Sequence, residues 1–469
     1  MKKIGRIFIV ALVFSMQFYS GHSQSGQPNI IVILADDLGY GDLGCYGHPT
    51  IRTPNLDKMA IEGLRFTQFY VGAAVCTPSR AALLTGRLAI RTGIYGNHAV
   101  LFPNSASGLP LKENTIAETL KSKGYKTGMV GKWHLGHLPE FLPLRQGFDY
   151  YFGVPYSNDM GKIATTRVNP DNPKASLRRE NAVPLPLFRN DKKIEEEPDQ
   201  HFLTKRYTEE AVQYIKENKS KPFFLYYASN FPHVPLYASP SFAGKSKRGP
   251  YGDVVEELDW SVGEILKTLK SLKIDQNTLV IFTSDNGPWL TQFDHGGSAG
   301  ILYEGKFSTY EGGMRVPAIA WWPGKIKPNT ISTALATTMD LLPTFAKLSH
   351  AALSPNVELD GQDISELLLG RKDNIRDQVL FYINENLYAI RKGKWKAHFI
   401  THPSYSAEAP VSHELPLLYD IDSDPSEKYN LAKWHPKVIE EMRAIYNKQK
   451  AIIPAPPELD KIIPVAGSK

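Results

Sequence analysis

The chain is predicted to adopt an α/β fold. A large domain with a mixed, mostly parallel sheet flanked by helices would be followed by a small C-terminal antiparallel sheet with one helix. Three observations lead there. The apolar runs Ile30–Leu34 and Leu279–Phe282 are unbroken, as strands buried on both faces of a parallel sheet are. Helical stretches such as "NTIAETLKSKG" and "DVVEELDWSVGEILKTLKSL" alternate with such runs, the pattern of helices covering both sheet faces. Near residue 378 the pattern changes to short alternating strands, "VLFYINENLYAIRKGKWKAHFI", with Lys392-Gly393 as a turn and the helix-like "PKVIEEMRAIYNKQKAII" closing the unit. At 469 residues the chain exceeds one ordinary core. The expected division is a large domain over 29–377 and a smaller α+β unit over 378–469.

The first residues, 1–23, read as a signal peptide. Lys2, Lys3 and Arg6 form a basic start, Ile7 to Phe14 begin an apolar stretch too short to span a bilayer, and Gly21-His22-Ser23 offers a cleavage site. The mature chain is expected to be exported, periplasmic or secreted, with no stable membrane insertion. A net charge of +6 without a run of five or six like charges gives no footprint for nucleic acid. The leader together with two cysteines suits a bacterial exported protein.

Cys45 and Cys76 are an even pair, so a disulfide is open on arithmetic alone. Local context points elsewhere. Cys76 opens "CTPSRAALLTGR", where Thr77 or a neighbour can cap, Pro78 suits a first helical turn, and Ala81 to Leu84 propagate a helix. A helix N-terminus collects anions, and Arg80 adds a fork of donors suited to a tetrahedral oxyanion. Cys45 reads as a small apolar core residue.

The two apolar runs end in oxygen-rich pairs, Asp36-Asp37 and Asp285-Asn286. Each alone is a common turn. Placed together at the carboxyl edge of a parallel sheet, Asp36, Asp37 and Asp285 would repel one another unless a cation sat among them, and all-oxygen ligation suits Ca²⁺ or Mg²⁺.

"CTPSRAALLTGR" resembles the signature of the type I, formylglycine-dependent sulfatases, and "GVPYSNDMG" resembles that of their arylsulfatase A-like branch. The resemblance covers nearly the whole chain after the leader and implies an alkaline-phosphatase-like large domain. It also implies that Cys76 is the precursor of a Cα-formylglycine nucleophile made by a formylglycine-generating or anaerobic maturation enzyme. By the same resemblance Asp36, Asp37, Asp285, Asn286 and the modified residue 76 hold the metal. Arg80, Lys132, His134, His233 and Lys306 become catalytic residues, and Ser157, Lys132, His233 and Lys306 touch substrate. With a divalent cation among three carboxylates, Arg80, Lys132 and Lys306 bring the pocket to a formal charge of plus two, attractive to a sulfate monoester.

The implied reaction begins with one hydroxyl of the hydrated aldehyde attacking sulfur, Asp285 accepting a proton. His233, with Lys306 nearby, protonates the leaving alcohol, and a covalent sulfate intermediate forms. His134 then takes the proton of the second hydroxyl and sulfate departs, while Arg80 and Lys132 hold the oxyanion. The substrate implied is a sulfate ester of a carbohydrate, attacked from the chain end; aryl sulfates, phosphate or phosphonate monoesters, and a non-catalytic binding role are the alternatives. His48, His98, His137, His201 and His402 read as ordinary surface or loop residues. Asp159, Arg167 and His295 are candidate hydroxyl-binding residues. Residues 161–200, polar and Pro-rich without a period, read as a long substrate-selecting loop.

Overall fold

In a computed structural model, residues 26–96, 99–162 and 183–452 are described. The predicted signal peptide, His98 and Arg167 lie outside them. The strands of the large sheet are β1 (Asn29–Ala35), β2 (Leu64–Tyr70), β3 (Lys126–Lys132), β4 (Tyr150–Val154), β5 (Pro186–Arg189), β6 (Lys192–Glu196), β7 (Phe223–Ala228), β8 (Thr278–Ser284), β9 (Arg315–Trp321), β10 (Thr330–Ser332) and β11 (Ala336–Thr337). Their order is β10-β2-β9-β8-β1-β7-β3-β4-β5-β6, with β11 also on β2. The central block β8-β1-β7-β3-β4 is parallel, and β9, β5 and β6 introduce antiparallel pairs at the flanks. The sheet is therefore mixed and mostly parallel, as expected.

The unbroken apolar runs are explained by burial on both faces. Ile30, Val32 and Leu34 of β1 enter one core cluster, and Ile31, Ile33 and Ala35 enter the other. In β8 Leu279 and Ile281 likewise face one cluster, and Val280 and Phe282 the opposite one. The two strands pair in parallel from Asn29↔Thr278 to Ala35↔Ser284, so their carboxyl ends stop side by side. Ile116–Lys121 forms a helix with a capping box from Thr115 and Glu118, and Pro250–Ser271 forms the long amphipathic helix.

A second sheet, β12 (Gln378–Ile383), β13 (Asn386–Lys392), β14 (Trp395–Thr401) and β15 (Val411–Asp420), is antiparallel in sequence order, followed by the helix Pro436–Ile452. It is tied to the large domain by buried charge at Glu311, in the short helix just before β9. Lys396 of β14 places Nζ 2.9 Å from Glu311 and 3.1 Å from Glu427, all three fully buried. Arg391 of β13 lies 3.7 Å from the same Glu311.

Two local expectations are corrected. Residues 183–200 do not form an irregular loop: β5 and β6 make a hairpin that extends the sheet, turning at Asn190 with φ 54°. The side-chain cap expected at Thr77 is absent. The helix Cys76–Thr85 starts after Val75, which offers no capping oxygen, and Thr77 lies inside the first turn, where its hydroxyl accepts the Leu101 N–H at 3.3 Å.

Candidate active site

The site forms where four neighbouring parallel strands end. Asp36 and Asp37 follow β1, Asp285 and Asn286 follow β8, Lys132 closes β3, and His233 lies in the loop after β7. The helix Cys76–Thr85 points its first residue at the same edge. Asp36, Asp37 and Asp285 are buried, and one carboxylate oxygen from each lies within 4.8 Å of the others. Asp37 has φ 64°, a backbone region costly for a residue with a side chain and characteristic of functional sites.

Cations answer these acids one by one. Lys132 Nζ lies 2.6 Å from Asp36, Arg80 pairs with Asp285 at 2.8 Å and with Asp36 at 3.4 Å, and Lys306 Nζ lies 2.8 Å from Asp37. Arg80 is further held by donation to the Lys132 carbonyl at 2.9 Å. Burial opposes charge on Asp36, but Lys132, His233 and Arg80 hold its carboxyl far below the usual range. Asp285 moves the other way. Burial and the neighbouring Asp36 charge push it up to about 7, so without an added cation one of the pair resists ionisation.

The donor set fits a hard divalent ion. Asp36 Oδ1 and Asn286 Oδ1 are buried and accept no hydrogen bond, while Asn286 Nδ2 donates to Asp37 Oδ1 at 2.7 Å. Buried acceptors without donors are costly. Together with the three carboxylates they present the all-oxygen ligation that Ca²⁺ or Mg²⁺ takes.

Both histidine protons can be assigned from their partners, because a carbonyl only accepts. His134 Nε2 contacts the Leu101 carbonyl at 3.0 Å, so Nε2 carries the hydrogen and Nδ1 keeps its lone pair, buried and unpartnered. Burial, then Lys132 and Arg80, push the His134 pKa well below its ordinary value, leaving a neutral imidazole. His233 Nδ1 faces the Val234 carbonyl, and its Nε2 lies 3.6 Å from Asp37. The backbone turns on both sides of Lys132-Trp133: Gly131 has φ 109° and His134 φ 59°. The twist sends Lys132 to Asp36 and Ser157 (3.2 Å) and turns His134 into the cavity.

A cavity of about 190 Å³ opens over these groups. Cys76, His134, Ser157, Asp159, His233 and Lys306 line it, together with Trp289, Tyr405 and other apolar residues. Cys76 and Cys45 are both free, which removes the disulfide. Burial raises the Cys76 thiol above its ordinary pKa, so as a thiol it stays protonated. Of the ordinary histidines, His48 accepts two backbone N–H groups, His201 faces Asp199 and His402 faces the Glu408 carbonyl; these and His137 lie outside the cavity lining. His295 also lies outside it. Sequence reasoning missed Trp289 and Tyr405. Trp289 stands four residues past Asp285, a signal that proximity could have supplied; nothing local to Tyr405 announces its role.

Ester-hydrolase chemistry on an anion is what a buried acid cluster, answering cations and paired histidines define at the carboxyl edge of such a sheet. Comparison with known proteins narrows the class. Residues 28–351 match the sulfatase family, and residues 374–466 match the C-terminal region of aryl-sulfatase. The chain is 47% identical to arylsulfatase A of Homo sapiens over 433 residues, covering 88% of this chain and 85% of that one. It is 39% identical to the N-acetylgalactosamine-6-sulfatase of Canis lupus familiaris over 475 residues, covering 92% and 88%. Its structure superposes on the PsFucS1 sulfatase of Pseudoalteromonas sp. with TM-score 0.82 and 30% identity, covering 93% and 92%. The chain belongs to the sulfatase family, with an alkaline-phosphatase-like fold, and is a sulfuric ester hydrolase.

Proposed function

We propose that this enzyme removes sulfate from carbohydrate monoesters at a residue 76 converted to Cα-formylglycine by a maturation enzyme, with Ca²⁺ or Mg²⁺ held by Asp36, Asp37, Asp285, Asn286 and residue 76. The observation that carries the reading is the position of Cys76. A buried thiol, its pKa raised by burial, opens a helix at the cavity and feels the charges of Asp36, Asp285, Lys132 and Lys306, where a thiol is a poor nucleophile. The hydrated aldehyde would supply two geminal hydroxyls, one to attack sulfur and one whose deprotonation frees the product, and the cation would polarise the sulfate oxygens.

This chain's own residues do the rest. Arg80, Lys132 and Lys306 bind and orient the sulfate oxygens, and Ser157 steadies Lys132. Asp285, at the carboxyl end of β8 within the acid cluster, accepts a proton from the attacking hydroxyl. His233, whose Nε2 faces the same Asp37 oxygen that Lys306 pairs with, hands a proton from Nε2 to the leaving alcohol when both ring nitrogens carry hydrogen. His134, neutral with Nδ1 free, takes the proton that releases sulfate. Residues 1–23 act as an export signal, and 29–377 and 378–469 are the catalytic domain and the C-terminal subdomain. The N-acetylgalactosamine-6-sulfatase relative supports the carbohydrate class.

Mass spectrometry of the tryptic peptide bearing residue 76, on protein co-expressed with a maturation enzyme, tests the reading. An aldehyde in place of the thiol and turnover of a sulfate ester, lost in Cys76→Ala, is the expected result. Undiminished turnover by Cys76→Ala sinks it.

A further inference from the structure

Trp289 and Tyr405 reach the cavity from distant parts of the chain, and their rings stack with centroids 5.0 Å apart and planes 10° from parallel. Trp289 comes from the segment after β8; Tyr405 comes from the connection between β14 and β15 in the C-terminal sheet. The wall is held on several sides. Lys306 Nζ lies 4.6 Å from the Trp289 ring, the His233 ring is 5.4 Å from it, and Phe307 meets Tyr405 edge-on at 4.8 Å. Ser404 donates its hydroxyl to the Lys306 carbonyl, which fixes the residue next to Tyr405 against the catalytic lysine. Tyr405 is 38% exposed, so the wall reaches the mouth of the cavity.

Asp159 lines the same cavity, and its Oδ1 is buried without a hydrogen-bond donor. It stands outside the acid cluster of Asp36, Asp37 and Asp285. A carboxylate oxygen left without a donor is costly, and a ligand hydroxyl would satisfy it. An aromatic wall lining the cavity beside a hydroxyl acceptor suits an alcohol that is partly apolar and hydroxylated at its rim. The Asp159 charge disfavours a second anionic group there.

We propose that Trp289, Tyr405 and Asp159 form the subsite that selects the leaving alcohol, accepting a neutral pyranose over a uronate or a second sulfate. This rests on the sulfatase function proposed above. The cation-rich end then takes the sulfate, and the wall and Asp159 take the ring.

The test compares kcat/KM for N-acetylgalactosamine 6-sulfate with that for 4-nitrophenyl sulfate in wild type, Asp159→Asn, Tyr405→Ala and Tyr405→Phe. In parallel, quenching of tryptophan fluorescence by the sugar sulfate is followed on the unconverted Cys76 protein. Asp159→Asn should lower the sugar-to-aryl ratio at least about tenfold, chiefly through KM, in line with the loss of a hydrogen bond to a charged group. Tyr405→Ala should raise KM for the sugar, and Tyr405→Phe should restore it. An unchanged ratio, with both substrates falling together, overturns the subsite and leaves the sulfatase reading standing. Wild type that hydrolyses neither ester yet is quenched by the sugar sulfate, with Asp159→Asn weakening that binding, sinks the sulfatase reading and keeps the subsite. Absence of both turnover and quenching sinks both.

Discussion

Removal of the cation at controlled pH probes the acid cluster most directly. Without a cation, burial and the Asp36 charge set the Asp285 pKa at about 7. A cation binds the ionised carboxylate, so its affinity should be flat above that pH. Below it, each bound cation must expel the Asp285 proton, and affinity should fall about tenfold per pH unit. At about pH 5 the loss reaches roughly a hundredfold, or about 2.7 kcal/mol at 1.36 kcal/mol per unit. The stability sign follows the same group. A raised carboxyl pKa favours the protonated folded form, so the metal-free protein loses that contribution as pH rises through about 7. The cation-dependent gain in Tm should accordingly be larger on the alkaline side. Calorimetric titration of chelator-stripped protein with Ca²⁺, in two buffers of different ionisation enthalpy, counts the protons. Release should approach one per cation near pH 5 and vanish near pH 8. Equal affinity at both, with no proton released near pH 5, would refute the convergence of these carboxylates on one ion.

Further outcomes follow from other contacts. Lys396→Met leaves Glu311 and Glu427 without their shared buried ammonium and should destabilise the protein by about 3–5 kcal/mol in chemical denaturation. The same change should lower kcat, because the Glu427 carboxylate accepts the Glu311 N–H at 2.6 Å, five residues past Lys306; a native-like midpoint would discount the network. Gly131→Ala places a Cβ 1.8 Å from the Ala228 carbonyl at φ 109°. The left-handed backbone alone costs about 1–2 kcal/mol, and the clash must part β3 from β7 beside Lys132. Tm and kcat should both fall, and wild-type values for both would contradict the close strand approach.

Much of this site was legible in the chain because its signals are local. The Cys76 helix opening, the Asp pairs after Ile30–Leu34 and Leu279–Phe282, and the unbroken apolar runs all express short-range physics: burial on two faces and polar residues at strand ends. Their meeting was an expectation; the parallel pairing of β1 with β8 realises it across some 250 residues of separation. Local pattern failed where backbone or distant partners rule. His134 takes φ 59°, and only the distant Leu101 carbonyl settles which of its nitrogens is free. The residues after 183 lack apolar alternation because the edge strand β6 is exposed along nearly all its length and β5 is buried only at its start, so burial imposes little pattern.

Residue type and order by themselves determined the chemical groups available to this protein: a cysteine that opens a helix, a set of carboxylate and amide oxygens, and cations suited to an anion. Tertiary structure alone decided which of these groups touch, that burial beside Asp36 raises the pKa of Asp285, and that Tyr405, between strands of the second sheet, stacks on Trp289 of the first domain. The physical reason is range. Periodicity, capping and turn preference act over a few residues, whereas desolvation, charge coupling and ring stacking depend on distances that only the packed chain defines.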